Sequence, residues 1–264
     1  MERRTVGSVE VIALVDTIQA YPATAVYPEA GEAVSRFSGY MDVDGKVVLN
    51  FAAFVLIDGG TRVLVDTGWG PEFDGKLLEE LAAAGIARDS IDAVIFTHLH
   101  GDHTGWNLDR ATGQPLFAKA TYLVPKGDWE HYGQQTPPPS SFVRDVLPLE
   151  AMKRMELVEG GRVLSPGLTT VATPGHTPGH TSVAIVSGGE HGFILGDVVI
   201  SQIDAEEPDW SSSFDWDGAI ARETRKKTIA RLAANRSLVG SSHLPAPGFG
   251  RFAADGGKTR WAAE

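Results

Sequence analysis

Thr97-His98-Leu99-His100-Gly101-Asp102-His103-Thr104-Gly105 places three histidines and an aspartate within six consecutive positions. Imidazole is the commonest metal ligand near neutral pH, and carboxylate is the usual oxygen partner of a hard or borderline cation. His98 and His100 are two apart, so an extended segment points both the same way. Asp102 and His103 are adjacent and follow a glycine, so a tight turn can aim them at a second point. One short loop can thereby serve two metal ions.

Outward from this loop, the chain reads as strands and helices that carry ligands at their ends. Residues 9–15 and 47–57 are β-branched and aromatic-rich, and Asp58-Gly59-Gly60 turns the second of them back into residues 62–65. Residues 20–40, rich in Pro, Gly and Ala without a clear period, read as a long loop or partial lid. A helix is expected from an N-cap at Asp74, with Leu77, Leu78, Leu81 and Ala84 on one face and Gly85 as its stop. Residues 91–96 form a buried strand, and the His-rich loop sits at its C-terminal end, where open α/β sheets place functional groups. Further strands are expected near 121–124, 168–172, 182–186, 192–195 and 237–240. An amphipathic helix over 219–235 carries Ile220, Ile229 and Leu232.

Composition narrows the function classes. The 264 residues carry a formal net charge of −11, which disfavours nucleic acid and anionic membrane surfaces as partners. There is no cysteine, which excludes thiolate metal sites and cysteine nucleophiles. No apolar run approaches membrane-spanning length, and Met1-Glu2-Arg3-Arg4 leads straight into strand-like residues, so a cytoplasmic location is expected. Without repeats, low-complexity tracts or a clean linker, residues 1–264 are expected to form a single domain.

Three candidate ligands follow the first cluster, each just past an expected strand. His176 lies in Thr173-Pro174-Gly175-His176-Thr177-Pro178-Gly179-His180, where proline and glycine fix the turn. Asp197 ends Ile194-Leu195-Gly196-Asp197, and a carboxylate there is costly unless paired or metal-bound. His243 lies in Ser241-Ser242-His243-Leu244-Pro245. This order, an HxHxDH motif and then a lone His, an Asp and a final His, resembles the metallo-β-lactamase superfamily. The resemblance runs from Leu64-Val65-Asp66-Thr67-Gly68 to His243. It implies an α+β fold, a four-layer αββα sandwich of two mixed sheets with helices outside.

The resemblance also implies a ligand set: His98, His100 and His176 for one metal, Asp102, His103 and His243 for the other, and Asp197 between them. Nitrogen and oxygen ligands suit two divalent ions, zinc foremost, with Mn, Fe or Co admitted. Asp66 is expected to orient a ligand histidine from behind or to cap a turn before Gly68. His180 is expected to support the ligands rather than join them, and His131 and His191 to be ordinary surface residues. Two ions roughly 3.5–4 Å apart hold a shared water as hydroxide near neutral pH. Hydrolysis by that bridging hydroxide is therefore expected, with Asp102 relaying a proton to the leaving group.

Within the superfamily, the flavin-linked di-iron branch carries a glutamate where this chain has His100. The RNA-processing branch needs an inserted domain for which there is no room. Glyoxalase II-like thioesterases carry a basic C-terminal patch, whereas the tail after His243 holds only Arg251, Lys258 and Arg260. Acyl-homoserine lactonases share the ligand set but often carry a tyrosine a few residues after the bridging Asp, where this chain reads Asp197-Val198-Val199-Ile200. The segment from Ser242 to Gly250 and the helix around Thr224-Arg225-Lys226-Lys227 resemble the methyl parathion hydrolase group.

The expected substrate is a small neutral ester or lactone, with neither nucleic acid nor membrane as partner and a homodimer compatible with the chain. Phosphotriester, β-lactam or thioester hydrolysis is the competing enzyme reading, and a catalytically silent metal-binding or sensing protein the competing class. Trp106 and Phe249 are expected to flank the metals as pocket walls. Residues 210–216, with Trp210, Phe214 and Trp216, are expected to cover the mouth.

Overall fold

The computed structural model describes residues 1–264. Strands β1 (Glu2–Val6), β2 (Val9–Pro22), β3 (Lys46–Asp58), β4 (Thr61–Val65), β5 (Ala93–Ile95), β6 (Thr121–Pro125) and β7 (Met155–Val158) form one seven-stranded sheet in chain order. Pairing is antiparallel from β1 to β4 and parallel from β4 to β7, so the sheet is mixed. The second sheet comprises β8 (Val163–Ser165), β9 (Leu168–Ala172), β10 (Thr181–Ser187), β11 (Glu190–Ile194), β12 (Leu238–Gly240), β13 (Phe249–Asp255) and β14 (Lys258–Ala263). It too is mixed, with β11 and β12 parallel.

The period-2 alternation of the strands decides which residues face which layer. Val9, Val11 and Ala13 of β2, Ala52, Phe54 and Leu56 of β3, and Val63 and Val65 of β4 point inward. There they meet Leu168, Val183, Ile185, Ile194 and Leu238 of the second sheet. The alternate residues Ile12, Leu14, Ala53, Val55 and Leu64 face outward against helical segments. These include α2 (Leu77–Ala83), α4 (Lys126–Gly133) and α5 (Leu147–Ala151), between which lies the short α3 (Gly101–Thr104). Beyond the second sheet, α6 (Ile203–Glu206) precedes α7 (Gly218–Ala234), whose Ile229 and Leu232 pack on Phe193, Val239, Phe252 and Trp261. The result is the four-layer αββα sandwich. No helix is long and apolar enough to cross a membrane.

Several local expectations are corrected. Residues 20–40 are not a loop: β2 runs on to Pro22, α1 (Ala23–Val26) follows, and 3₁₀ turns fill Pro28–Tyr40. This segment buries Val26, Tyr27, Val34 and Phe37 against Leu49, Phe51, Ile200 and Ile203, which is what an aperiodic but apolar stretch can do once a sheet edge is offered to it. Asp74 does not cap α2. It adopts a left-handed conformation closing the turn Pro71–Phe73, and the first helical N–H, that of Leu77, donates instead to Asp16 Oδ1 at 2.8 Å. In α7 the buried positions are Ala221, Arg225, Thr228, Ile229 and Leu232, so Ile220 falls off the inward stripe and stays exposed. Asp217 caps this helix through Ala219 N and Ile220 N.

Candidate metal centre

The seven expected ligands come from loops at one end of both sheets, following β5, β9, β11 and β12. The backbones there are tied across the sandwich. Thr181 N donates to Thr97 O at 2.8 Å, and Ala52 N to Ser242 O at 3.1 Å. Gly196 shows how close the loops run. It has φ +60°, and a Cβ there would sit 2.6 Å from His180 Nε2 and 2.8 Å from Thr97 Cβ.

Two groups of ligand atoms form, each within 4.8 Å of mutual separation: His98, His100 and His176, and then Asp102, His103, Asp197 and His243. In the first, His100 Nδ1 lies 3.0 Å from both His98 Nε2 and His176 Nε2, which gathers three ring nitrogens in one place. In the second, His103 Nε2 lies 3.3 Å from Asp102 Oδ2 and 3.3 Å from Asp197 Oδ1, and His243 Nε2 3.0 Å from Asp197 Oδ2. Asp197 Oδ2 also stands 3.3 Å from His176 Nε2 and 3.7 Å from His98 Nε2, so one carboxylate faces both groups.

The structure itself fits divalent cations to these groups. His103 Nε2 and Asp197 Oδ1 are buried without any hydrogen-bond partner, which is costly for polar atoms unless something else satisfies them. The donor set of five imidazoles and two carboxylates is the chemistry of zinc and its neighbours.

Electrostatics sharpen the picture. Burial, aided by His103, holds His98 well below the usual imidazole range, and burial together with His176 brings His100 down to about 4, leaving lone pairs free for a cation. For His103, burial also opposes the charged form, but Asp197, Asp102 and Asp66 more than reverse it and its pKa rises. Asp102 is lowered to about 2: burial raises it, and His103 and His243 outweigh that. Asp197 is held well below the usual carboxylate range by the surrounding histidines, against its burial.

Behind the ligands stands a frame of hydrogen bonds that fixes ring orientation. His103 Nδ1 meets Asp66 Oδ2 at 2.9 Å, and the same carboxylate accepts Thr97 N at 2.7 Å and Thr97 Oγ1 at 2.8 Å. His243 Nδ1 donates to Asn50 O at 2.8 Å. His176 Nδ1 meets Asp215 Oδ1 at 3.1 Å. His180 belongs to neither ligand group. Its Nε2 accepts the backbone N–H of Asp197 at 2.9 Å and its Nδ1 meets Thr173 Oγ1 at 2.8 Å, an arrangement that requires a neutral ring; burial holds its pKa down to about 3. His131 is half-buried beside Gln135, and His191 is exposed.

The two expected pocket walls lie elsewhere. After Gly248 turns the chain, Phe249 pairs with Gly240 as the first residue of β13. Its side chain is thereby sent between the sheets, 5.8 Å from Phe54. Trp106 is turned beneath the loop by α3 and donates its indole N–H to Asp16 Oδ1 at 2.8 Å. Of residues 210–216, Phe214 lines the cavity, Trp210 packs on Tyr27 and Phe37, and Trp216 is half-exposed. The actual cavity, about 370 Å³, has His100, Asp102, His176, Asp197 and His243 as its floor and Tyr21, Leu49, Phe51, Trp69, Ile200 and Phe214 as its walls. Lone aromatics in strands β2 and β3 carry no signal for this role in the sequence, because their register is needed to place them.

Three buried acidic groups also carry weight that the sequence alone does not announce. Asp16 accepts Trp69 N and Leu77 N, each at 2.8 Å, besides the Trp106 indole. Asp128 joins the loops of His98 and His176 by accepting Leu99 N at 3.0 Å and Thr177 Oγ1 at 2.9 Å. Asp215 is the third. A cue exists for Asp16, a carboxylate ending an apolar strand, the same one that singles out Asp197.

Comparison with known proteins agrees with this geometry. The family model described as the metallo-beta-lactamase superfamily matches residues 49–243. The chain belongs to the metallo-beta-lactamase superfamily. Among superfamily relatives, human metallo-beta-lactamase domain-containing protein 1 is 31% identical over 171 residues, 63% of this chain and 53% of that protein. The N-acyl homoserine lactonase AttM of Agrobacterium fabrum is 28% identical over 154 residues, 51% of this chain and 56% of that protein. The chain thus spans about half the length of the curated relatives it matches. Among solved structures, hydrolase AbOPH of the same superfamily superposes with a TM-score of 0.88 at 26% identity, over 99% of this chain and 96% of that one. AidC, described as a dizinc quorum-quenching lactonase, superposes with a TM-score of 0.86 over 100% of this chain and 97% of that one. At 23% identity that match speaks for the fold alone.

Proposed function

We propose that this chain is a dinuclear metal-dependent hydrolase of neutral esters or lactones. The observation that carries the reading is the pairing of two ligand groups, joined by Asp197, with an apolar cavity that no lysine or arginine lines. The lactonase name borne by AttM supports the same substrate class. Bound there, a pair of divalent ions supplies an activated water near neutral pH and polarises the carbonyl oxygen under attack. The residues of this chain do the rest. His98, His100 and His176 would hold one ion and Asp102, His103 and His243 the other, with Asp197 placed between the two groups. Asp102 lies at the cavity floor with one oxygen toward His103 and His243, and its carboxylate takes the proton given up by the attacking water and passes it to the departing alkoxide as the acyl–oxygen bond breaks. Phe51, Leu49, Ile200 and Phe214 take up the apolar part of the substrate and exclude bulk water. Without a lysine or arginine in the walls, a substrate with anionic groups away from the reacting bond gains nothing there, whereas an uncharged acyl compound loses nothing.

The test has two stages. Metal analysis of reconstituted protein should give two ions per chain, and fewer than one would favour a silent binding protein. A panel of lactones, aryl esters, phosphotriesters and a chromogenic β-lactam should then show highest kcat/KM on a lactone or ester. Phosphotriester turnover without lactone turnover would replace this reading.

A further inference from the structure

Each ligand group has one histidine backed by a buried carboxylate, and the two carboxylates belong to unrelated parts of the fold. In the second group His103 leans on Asp66, at the end of β4. In the first, His176 leans on Asp215, which is 1% exposed and lies just before α7.

Asp215 is itself anchored. Its Oδ2 accepts Ser212 N at 3.0 Å and Arg225 Nη2 at 3.3 Å. Arg225 is fully buried in the inward stripe of α7, an unusual place for a guanidinium. Its Nε donates to Val198 O at 3.0 Å, one residue past Asp197, and its Nη1 donates to Trp210 O. The backbone around His176 is fastened to the same segment, with Trp216 N on His176 O at 2.9 Å and Asp217 N on Gly175 O at 3.0 Å. Gly175 presses on α7 so closely that a Cβ would stand 2.4 Å from Ala221 Cα.

We propose that Asp215, anchored by Arg225, is the positioning residue that sets the metal affinity of the His98–His100–His176 group independently of the other group. A carboxylate on Nδ1 fixes the ring tautomer with Nε2 free and raises its strength as a ligand. The Nη2 of Arg225 keeps that carboxylate from rotating away, while the other arms of its fork, on Val198 O and Trp210 O, hold the guanidinium and the chain beside Asp197 in the same frame. An asparagine at 215 cannot reproduce this. Donors from His176, Ser212 and Arg225 converge on two carboxylate oxygens, and a carboxamide must turn its NH₂ toward one side.

The inference rests on the dinuclear reading above, and its test separates the two. Stepwise metal affinities are measured by chelator competition, with zinc as the probe, on the wild type, Asp215→Asn, Asp66→Asn and the double variant. Near-UV circular dichroism monitors folding. Asp215→Asn should weaken one binding constant by about 10–100-fold and leave the other, Asp66→Asn should weaken the other, and the double variant both. Arg225→Lys, which keeps the charge but loses the fork, should weaken the same constant as Asp215→Asn, and it decides the matter alone should Asp215→Asn fail to fold. Unchanged constants in the folded variants, or both constants falling together in Asp215→Asn, would overturn the inference while leaving the dinuclear reading intact. Fewer than two ions on the wild type would overturn that reading, and this inference with it.

Discussion

At the scale of the residue, the centre depends on how neighbouring groups divide their work. Asp102 and His103 are adjacent, and charge outweighs burial to drive them opposite ways, the carboxyl down and the imidazole up. Asp102 also differs from Asp197 in access. Its side chain is 15% exposed at the cavity floor, against 3% for Asp197, so it is the carboxylate that can exchange a proton with substrate. Asp102→Asn should therefore lower kcat by about 10²–10⁴-fold while two metals are retained, the size expected for a lost proton relay. Steady-state kinetics with parallel metal analysis check this, and normal turnover in a fully loaded variant would remove Asp102 from the mechanism. Much at this scale is legible in the amino-acid order alone. His98, His100, Asp102, His103, His176, Asp197 and His243 stand out because few other roles demand them at strand ends. Asp215 does not, because an aspartate ahead of a helix reads as another cap like Asp217.

At the scale of the element, the strands and α7 are readable from period and punctuation, while α2 shows where local rules stop. Its sequence offers Asp74 as a cap, but the chain closes a left-handed turn there and the helix takes its cap from Asp16, far away in β2. That carboxylate sits at the register shift between Val15 and Thr17, which lifts it out of the ladder and turns it toward the loop of Trp69. Asp16→Ala strands four donors at once, Leu77 N and Gly70 N buried, Trp69 N and the Trp106 indole partly so. At about 1–3 kcal/mol for each unsatisfied group, less some relaxation, the loss should be about 3–5 kcal/mol. Urea unfolding would show it as a fall in midpoint. A change below about 1 kcal/mol would mean that water replaces the carboxylate. The cavity wall has the same non-local origin, since Phe51 and Leu49 from β3 are backed by Val34 and Phe37 from the 3₁₀ segment.

At the scale of the whole molecule, the candidate metal centre lies where loops of the two sheets meet. Its candidate ligands come from loops of both, and it gathers two carboxylates with raised and lowered imidazoles in a mostly buried cluster at the floor of the cavity. Chelation should therefore lower the melting temperature by on the order of 20 °C, because each of two ions at about a thousand times its dissociation constant contributes about 4 kcal/mol to the folded state. Differential scanning calorimetry with and without chelator measures it, and coincident transitions would show that the frame holds by itself. The sequence by itself determined the ligand chemistry, the strand-end placement and, through resemblance, the αββα sandwich, because metal ligation demands particular atoms and alternation demands particular faces. Only the tertiary structure decided what surrounds the ligands. Phe249 went into the core and Trp106 beneath the loop, while Tyr21, Phe51, Trp69 and Phe214 became the walls. The physical reason is that a cavity is bounded by residues distant in sequence, and strand register and turn geometry, rather than proximity to a motif, decide which side chains face it.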